Sequence, residues 1–278
     1  MKIYLDSFVI FVKTLVIKNK EHAMWKTPQA YYGPLHFAAI GTMLAFLALG
    51  IVLGIKAKGT GRSRDKAMTI LGLVFIALEA FKIIFRLIVN EGADLTLISF
   101  QICSIPMYLL PCIYFMKDGK LKQAFIGYVS FQSFTSAFFY FVKPAAVIGT
   151  SYIAISLHSI LWHSLMVCSG VYAMIAYGLL SKEGFKTFIY SYILWVVTVA
   201  IAIILDIILI NANPGTALNL FYIAPNSTFK YPLLSIFFKQ PKPYPLFILC
   251  FLIYYFIGGF AIYGIGYGIT ALCGRKRK

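Results

Sequence analysis

The sequence predicts an all-α, polytopic membrane protein, a bundle of about seven transmembrane helices. Sixty per cent of its residues are hydrophobic and only 12% are charged, whereas soluble domains are nearer half apolar and a quarter charged. Several apolar runs exceed eighteen residues, long enough to cross about 30 Å of hydrocarbon. The lysines and arginines that give a net charge of +16 lie mostly in the intervening loops and the tail. That is where topology determinants and contacts with anionic headgroups belong, so the basic balance does not point to nucleic acid.

All 278 residues read as a single integral membrane domain, 1–278. Residues 1–35 open with MKIYLDSFVIFVKTLVIK, an apolar run broken by Asp6 and Lys13 and lacking a small-residue cleavage signature. It is expected along the membrane interface, with Trp25, Tyr31 and Tyr32 at headgroup level. Seven spans follow, at about His36–Ile55, Ala67–Val89, Leu95–Met116, Gln123–Val142, Tyr152–Leu180, Thr187–Ile210 and Pro245–Leu272. Loop 56–66 carries five basic residues, loop 117–122 three, loop 181–186 two and the tail four, against none in 90–97 and one in 143–151. The positive-inside rule then puts the N-terminus outside and the C-terminus in the cytoplasm. The only long loop, 211–244, precedes the last helix, and long loops are more often functional than ornamental.

The third span, LISFQICSIPMYLLPCIYFM, holds the most informative residues. Gln101, Cys103 and Ser104 fall together, and Pro106 in a continuous helix would release the carbonyl of Ile102. Counted from the basic loops, Glu79 is 13 residues from Lys66, Cys103 is 14 from Lys117 and His163 is 19 from Lys182. At about 1.5 Å per residue these are depths of roughly 20, 21 and 28 Å, one layer within helix tilt. Lys82 and Arg86 follow Glu79 on the same face. Intramembrane ionisable groups are costly and are functional candidates by default.

Plainer roles compete. Cysteine is a common packing residue, a lone membrane histidine often bonds a neighbouring helix, and Glu79 with Lys82 makes a neutral pair. Cys112, Cys168, Cys250 and Cys273 have no activating company and read as structural. His158 lies well round the helix from His163, which disfavours a two-histidine metal face; no metal and no cofactor are expected. Gly264 and Gly268 fit a small-residue packing stripe.

The order YYGPLHFAAIG, ALEAFK, LISFQICSIPMYLLP, LWHSLMVCSGVY, GTALNLFYIAP and PKPYPLFIL resembles the YwaF-like family of bacterial integral membrane proteins, related to the eukaryotic transmembrane protein 164 acyltransferases. The resemblance runs over about residues 31–270. It implies a seven-helix protein with a cysteine on the third helix, here Cys103, and a histidine on the fifth, here His163. In the eukaryotic relatives these serve acyl transfer between phospholipids. Glu79 matches an acidic position on helix two and Asn219 an asparagine before the last helix. Gln101 stands where many bacterial members have histidine.

The expected activity is a cysteine-dependent phospholipid acyltransferase or lipase in the cell membrane, with phospholipids and lysophospholipids as partners. His163 would take the thiol proton, Cys103 would hold the acyl chain as a thioester, and a lysophospholipid hydroxyl would collect it. Gln101 or Asn219 would donate to the oxyanion, and Lys82 and Arg86 would hold the lipid phosphate. The alternatives are a small transporter using Glu79, Lys82 and Asp206 as a relay, disfavoured by the absence of an internal repeat, and a structural membrane protein.

Overall fold

The computed structural model describes residues 33–88, 99–142, 153–212, 219–225, 234–238 and 243–275. The interfacial segment expected at the N-terminus, the loops 90–97 and 143–151 and most of 211–244 lie outside the described residues. What is described is helix and turn, with no strand, as an all-α membrane bundle of about seven helices requires.

Helix α1 spans Pro34–Ala57 and begins on a proline, whose missing N–H costs nothing in a first turn. α2 spans Arg62–Ile88, with Asp65 in its first turn. The fourth span begins as α3, Lys120–Gly127, passes through a π turn at Tyr128–Ser133 and continues as α4, Phe134–Val142. The hydroxyls of Ser130 and Thr135 bond the carbonyls of Ile126 and Phe131, at 2.9 and 2.6 Å, in and beside that turn. Such bonds compete with the backbone ladder. α5 spans Ile153–Ala176, α6 Gly184–Ala212 and α7 Tyr244–Arg275; Leu234–Phe237 adds a single helical turn.

The third span is not the continuous helix expected over 95–116. It is a chain of short pieces: a 3₁₀ turn at Ile102–Ser104, an α turn at Ile105–Leu109 and a second 3₁₀ turn at Leu110–Phe115. Each proline explains its own break. Pro106 and Pro111 sit at the first or second position of their pieces, where no helical donor is needed. Pro106 therefore frees no carbonyl within a helix, because no helix runs through Ile102 from the N-terminal side.

α5 is the axis of the bundle. Seventy-two per cent of its apolar window is buried, against 17 to 28% in α1, α2, α6 and α7. Those four are long and apolar enough to span a membrane and carry exposed apolar side chains such as Phe37, Ile70, Leu73, Ile204, Ile208 and Ile257. Apolar surface on this scale suits lipid and not water. α1 packs on α5 through Gly50 and Gly54. A Cβ at Gly50 would come within 2.6 Å of the Cys168 carbonyl oxygen, and one at Gly54 within 2.9 Å of Ile175 Cβ. The broken third span lies along α2, where Gly72 admits Leu110 and Pro111 equally closely. The glycine stripe expected at Gly264 and Gly268 meets nothing within 4 Å among the described residues; in α7 the packed glycines are Gly258, Gly259 and Gly266, against Thr135, Phe188 with Gln132, and Leu180.

Candidate functional site

A cavity of about 330 Å³ opens between the third span, α2, α4, α5 and the segment before the last helix. Glu79, Lys82, Gln101, Cys103, His163 and Asn219 all line it. The layer counted along the sequence is thus one place in the fold. Arg86, the remaining expected phosphate ligand, is not in the lining.

Cys103 is half-buried in the 3₁₀ turn. Its carbonyl accepts a hydrogen bond from Trp162 Nε1 at 2.9 Å, and Phe75 packs edge-on against that indole at 4.8 Å. This bond joins the third span to α5 at the site. The indole holds the backbone of the cysteine, a role nothing in the sequence assigns to Trp162.

His163 lies one residue further on, 3% exposed. Its Nδ1 is 2.7 Å from the carbonyl oxygen of Ser159, one turn back. A carbonyl only accepts, so Nδ1 carries the proton and Nε2 presents a lone pair. Nε2 is buried and has no partner among the described residues. Tyr140 stacks on the imidazole at 3.7 Å between centroids with the planes 18° apart. His158 also lines the cavity, with Nε2 donating to the Leu78 carbonyl at 3.0 Å. No group of three or more histidine, cysteine or acidic side chains among the described residues is arranged to hold a metal ion.

The acidic side of the cavity is paired. Glu79 is 2.7 Å from Lys82 Nζ and accepts a short hydrogen bond from Ser99 Oγ; Lys82 also donates to Ser99 at 2.9 Å. Two of the three ammonium donors are thus engaged. The amide side is half used. Gln101 Nε2 donates to the Asn219 carbonyl at 2.9 Å, leaving Gln101 Oε1 buried and without a partner among the described residues. Asn219 Oδ1 in turn accepts from the Ala224 N–H at 3.0 Å. The orphan that Gln101 offers is therefore an acceptor, where the sequence reading expected an oxyanion donor. Asp206, the third residue of the relay alternative, is fully buried outside this lining and accepts the Leu220 N–H at 2.9 Å.

No family model, curated protein or solved structure matches this chain.

A second polar cluster sits where the basic loops meet the bundle. Lys122 reaches Asp65 at 2.6 Å and Asp118 at 2.8 Å, and the Tyr177 hydroxyl donates to the other Asp65 oxygen at 2.6 Å. Arg64 lies over the Tyr177 ring at 4.4 Å and donates to the Ala176 carbonyl. Burial pulls the Lys122 ammonium down, but its bonds to Asp118 and Asp65 outweigh that and leave it above the usual range. The same Lys122 bond holds the exposed Asp118 carboxyl below the usual range. The sequence assigns Asp65 and Lys122 no role beyond loop charge, since Asp65, Lys122 and Tyr177 meet only in the fold; Asp118 alone is a local partner of Lys122.

Proposed function

We propose that this is a multi-pass membrane acyltransferase that carries a fatty acyl chain between phospholipid and lysophospholipid on Cys103. The observation that supports it best is the shared cavity of Cys103 and His163, with the imidazole tied at Nδ1 so that its basic nitrogen is left for a substrate or a thiol. The YwaF-like resemblance assigns the same two residues, on the same two spans.

In this reading Nε2 of His163 takes the thiol proton as sulfur attacks the ester carbonyl. Collapse of the tetrahedral adduct breaks the ester C–O bond, and the imidazolium returns its proton to the departing lysophospholipid oxygen. A second lysophospholipid hydroxyl then gives its proton to the imidazole and attacks the thioester, and the thiol is restored. A thiolate in an apolar setting needs such a base beside it. Lys82 keeps one donor for a phosphate oxygen, while Glu79 holds its charge in place. The basic loops at 56–66 and 117–122 and the tail face the cytoplasm of a cell membrane in this reading, and residues 90–97 the outside.

The test is transfer of a labelled acyl chain by purified protein in liposomes. Cys103→Ser should abolish transfer, because a hydroxyl is nearly the same size but far less acidic. Cys168→Ser should leave it unchanged, because that side chain is buried in α5 outside the cavity lining. Equal activity of Cys103→Ser and the unaltered protein would end this reading.

A further inference from the structure

The segment from Asn219 to Pro225 is held in an uncommon conformation. Phe221 and Tyr222, both bulky, have φ of 52° and 56°. Left-handed backbone at consecutive non-glycine residues persists only where the surroundings over-determine it, and such strain gathers at functional sites. Here the surroundings are specific. Asp206 holds the Leu220 N–H, Gln101 holds the Asn219 carbonyl, and Asn219 folds back on the Ala224 N–H. Phe221 is fully buried with its ring 5.7 Å from that of Phe100.

The turn brings Asn219, Leu220 and Tyr222 to the cavity. Tyr222 lines it, and the Tyr222 and Tyr140 hydroxyls lie within hydrogen-bonding reach of each other. The ring of Tyr140 in turn lies flat on the imidazole of His163. An imidazole tied at one nitrogen can still swing about that bond and its own side-chain torsion. A ring stacked on its face removes that freedom, provided the ring itself is fixed. The hydroxyl pair fixes it from the far end.

We infer that Tyr222 is a positioning residue for His163, acting through Tyr140, so that the segment before the last helix sets the orientation of the imidazole in the cavity. This deepens the acyl-transfer reading and rests on it for its catalytic meaning, but the contact chain can be tested without any activity.

The readout is the nitrogen spectrum of protein carrying ¹⁵N-labelled histidine in detergent micelles. The chain has four histidines, and the His163 signals are those lost in His163→Gln. The unaltered protein should give one His163 species with the proton on Nδ1. Tyr222→Phe and Tyr140→Phe keep both rings but remove the hydroxyl pair. Each should broaden or split the His163 signals, and the double variant should look like either single one, since the same bond is being removed. Tyr140→Leu, which removes the stack as well, should perturb the signals further. Unchanged His163 signals in Tyr222→Phe, with the protein eluting and melting normally, would overturn the inference, whatever Tyr140→Leu does. In the transfer assay Tyr222→Phe should lower kcat about tenfold and leave KM unchanged, as a misaligned base would. A wild type without transfer would defeat the acyltransferase reading alone; the nitrogen spectrum would still decide whether Tyr222 orients His163.

Discussion

The two polar clusters of this protein are built from similar side chains and left in opposite states. At the loop end, both oxygens of Asp65 are engaged and Lys122 is bonded to two carboxylates; among the described residues only Arg64 Nε lacks a partner there. In the cavity, Glu79, Ser99 and Lys82 close on one another, but Gln101 Oε1 and His163 Nε2 remain buried and unmet among the described residues. Leaving a buried polar atom unpaired costs about 1–3 kcal/mol. Folding gains nothing from two such acceptors on one cavity beside a cysteine. The closed cluster ties the ends of helices together, and the open one is shaped for something that brings donors.

That contrast can be broken from either side. The largest effect is expected in the open cluster. His163→Gln should lower acyl transfer by about 100- to 10,000-fold, the range for loss of a general base, while the thermal midpoint stays near that of the unaltered protein. In the closed cluster the order reverses. Lys122→Met strands a buried Asp65 and should cost about 3–5 kcal/mol of stability, measured by unfolding in mixed micelles, with transfer per folded molecule retained. Asp65→Asn added to it should recover part of the loss. If Lys122→Met removed activity without touching stability, the division between the clusters would be wrong.

Packing gives the next step down. Gly50→Leu would drive a side chain into the backbone of α5 at Cys168 and should cost about 1–3 kcal/mol. Gly264→Leu adds apolar surface where nothing lies within 4 Å and should be neutral. The smallest effect is a pH dependence. The Asp118 carboxyl is held below its unfolded value, so its contribution is present above about pH 4 and is lost as pH falls through the folded value. The pair is exposed on the Asp118 side, so no more than about 1 kcal/mol is at stake. A melting series from pH 6 to 3 should show a slightly steeper fall for the unaltered protein than for Asp118→Asn.

How much of this was legible in the sequence follows the range of the interactions. Hydrophobic runs fix helices one at a time, so five long spans and the fourth, π-interrupted one fall close to where the runs place them. Depth along a helix is also local, and it brought Glu79, Cys103 and His163 to one layer before any neighbour was known. The third span failed because a proline is read differently inside a helix and at its start. Pro106 and Pro111 begin pieces, and only the folded backbone shows that they do. Gly50 with Gly54 and Gly264 with Gly268 have the same spacing; the first pair meets α5 and the second meets nothing among the described residues. Tyr140 and Tyr222 carry no local signal at all, since their partnership exists only across the cavity.

The most direct measurement is the mass of the protein after exposure to phospholipid in liposomes. The account predicts one added acyl chain on Cys103, released by hydroxylamine, present in the unaltered protein and in Cys168→Ser and absent from Cys103→Ser. Acyl transfer that persists in Cys103→Ser, or that proceeds in the unaltered protein with no adduct trapped on Cys103, would contradict it.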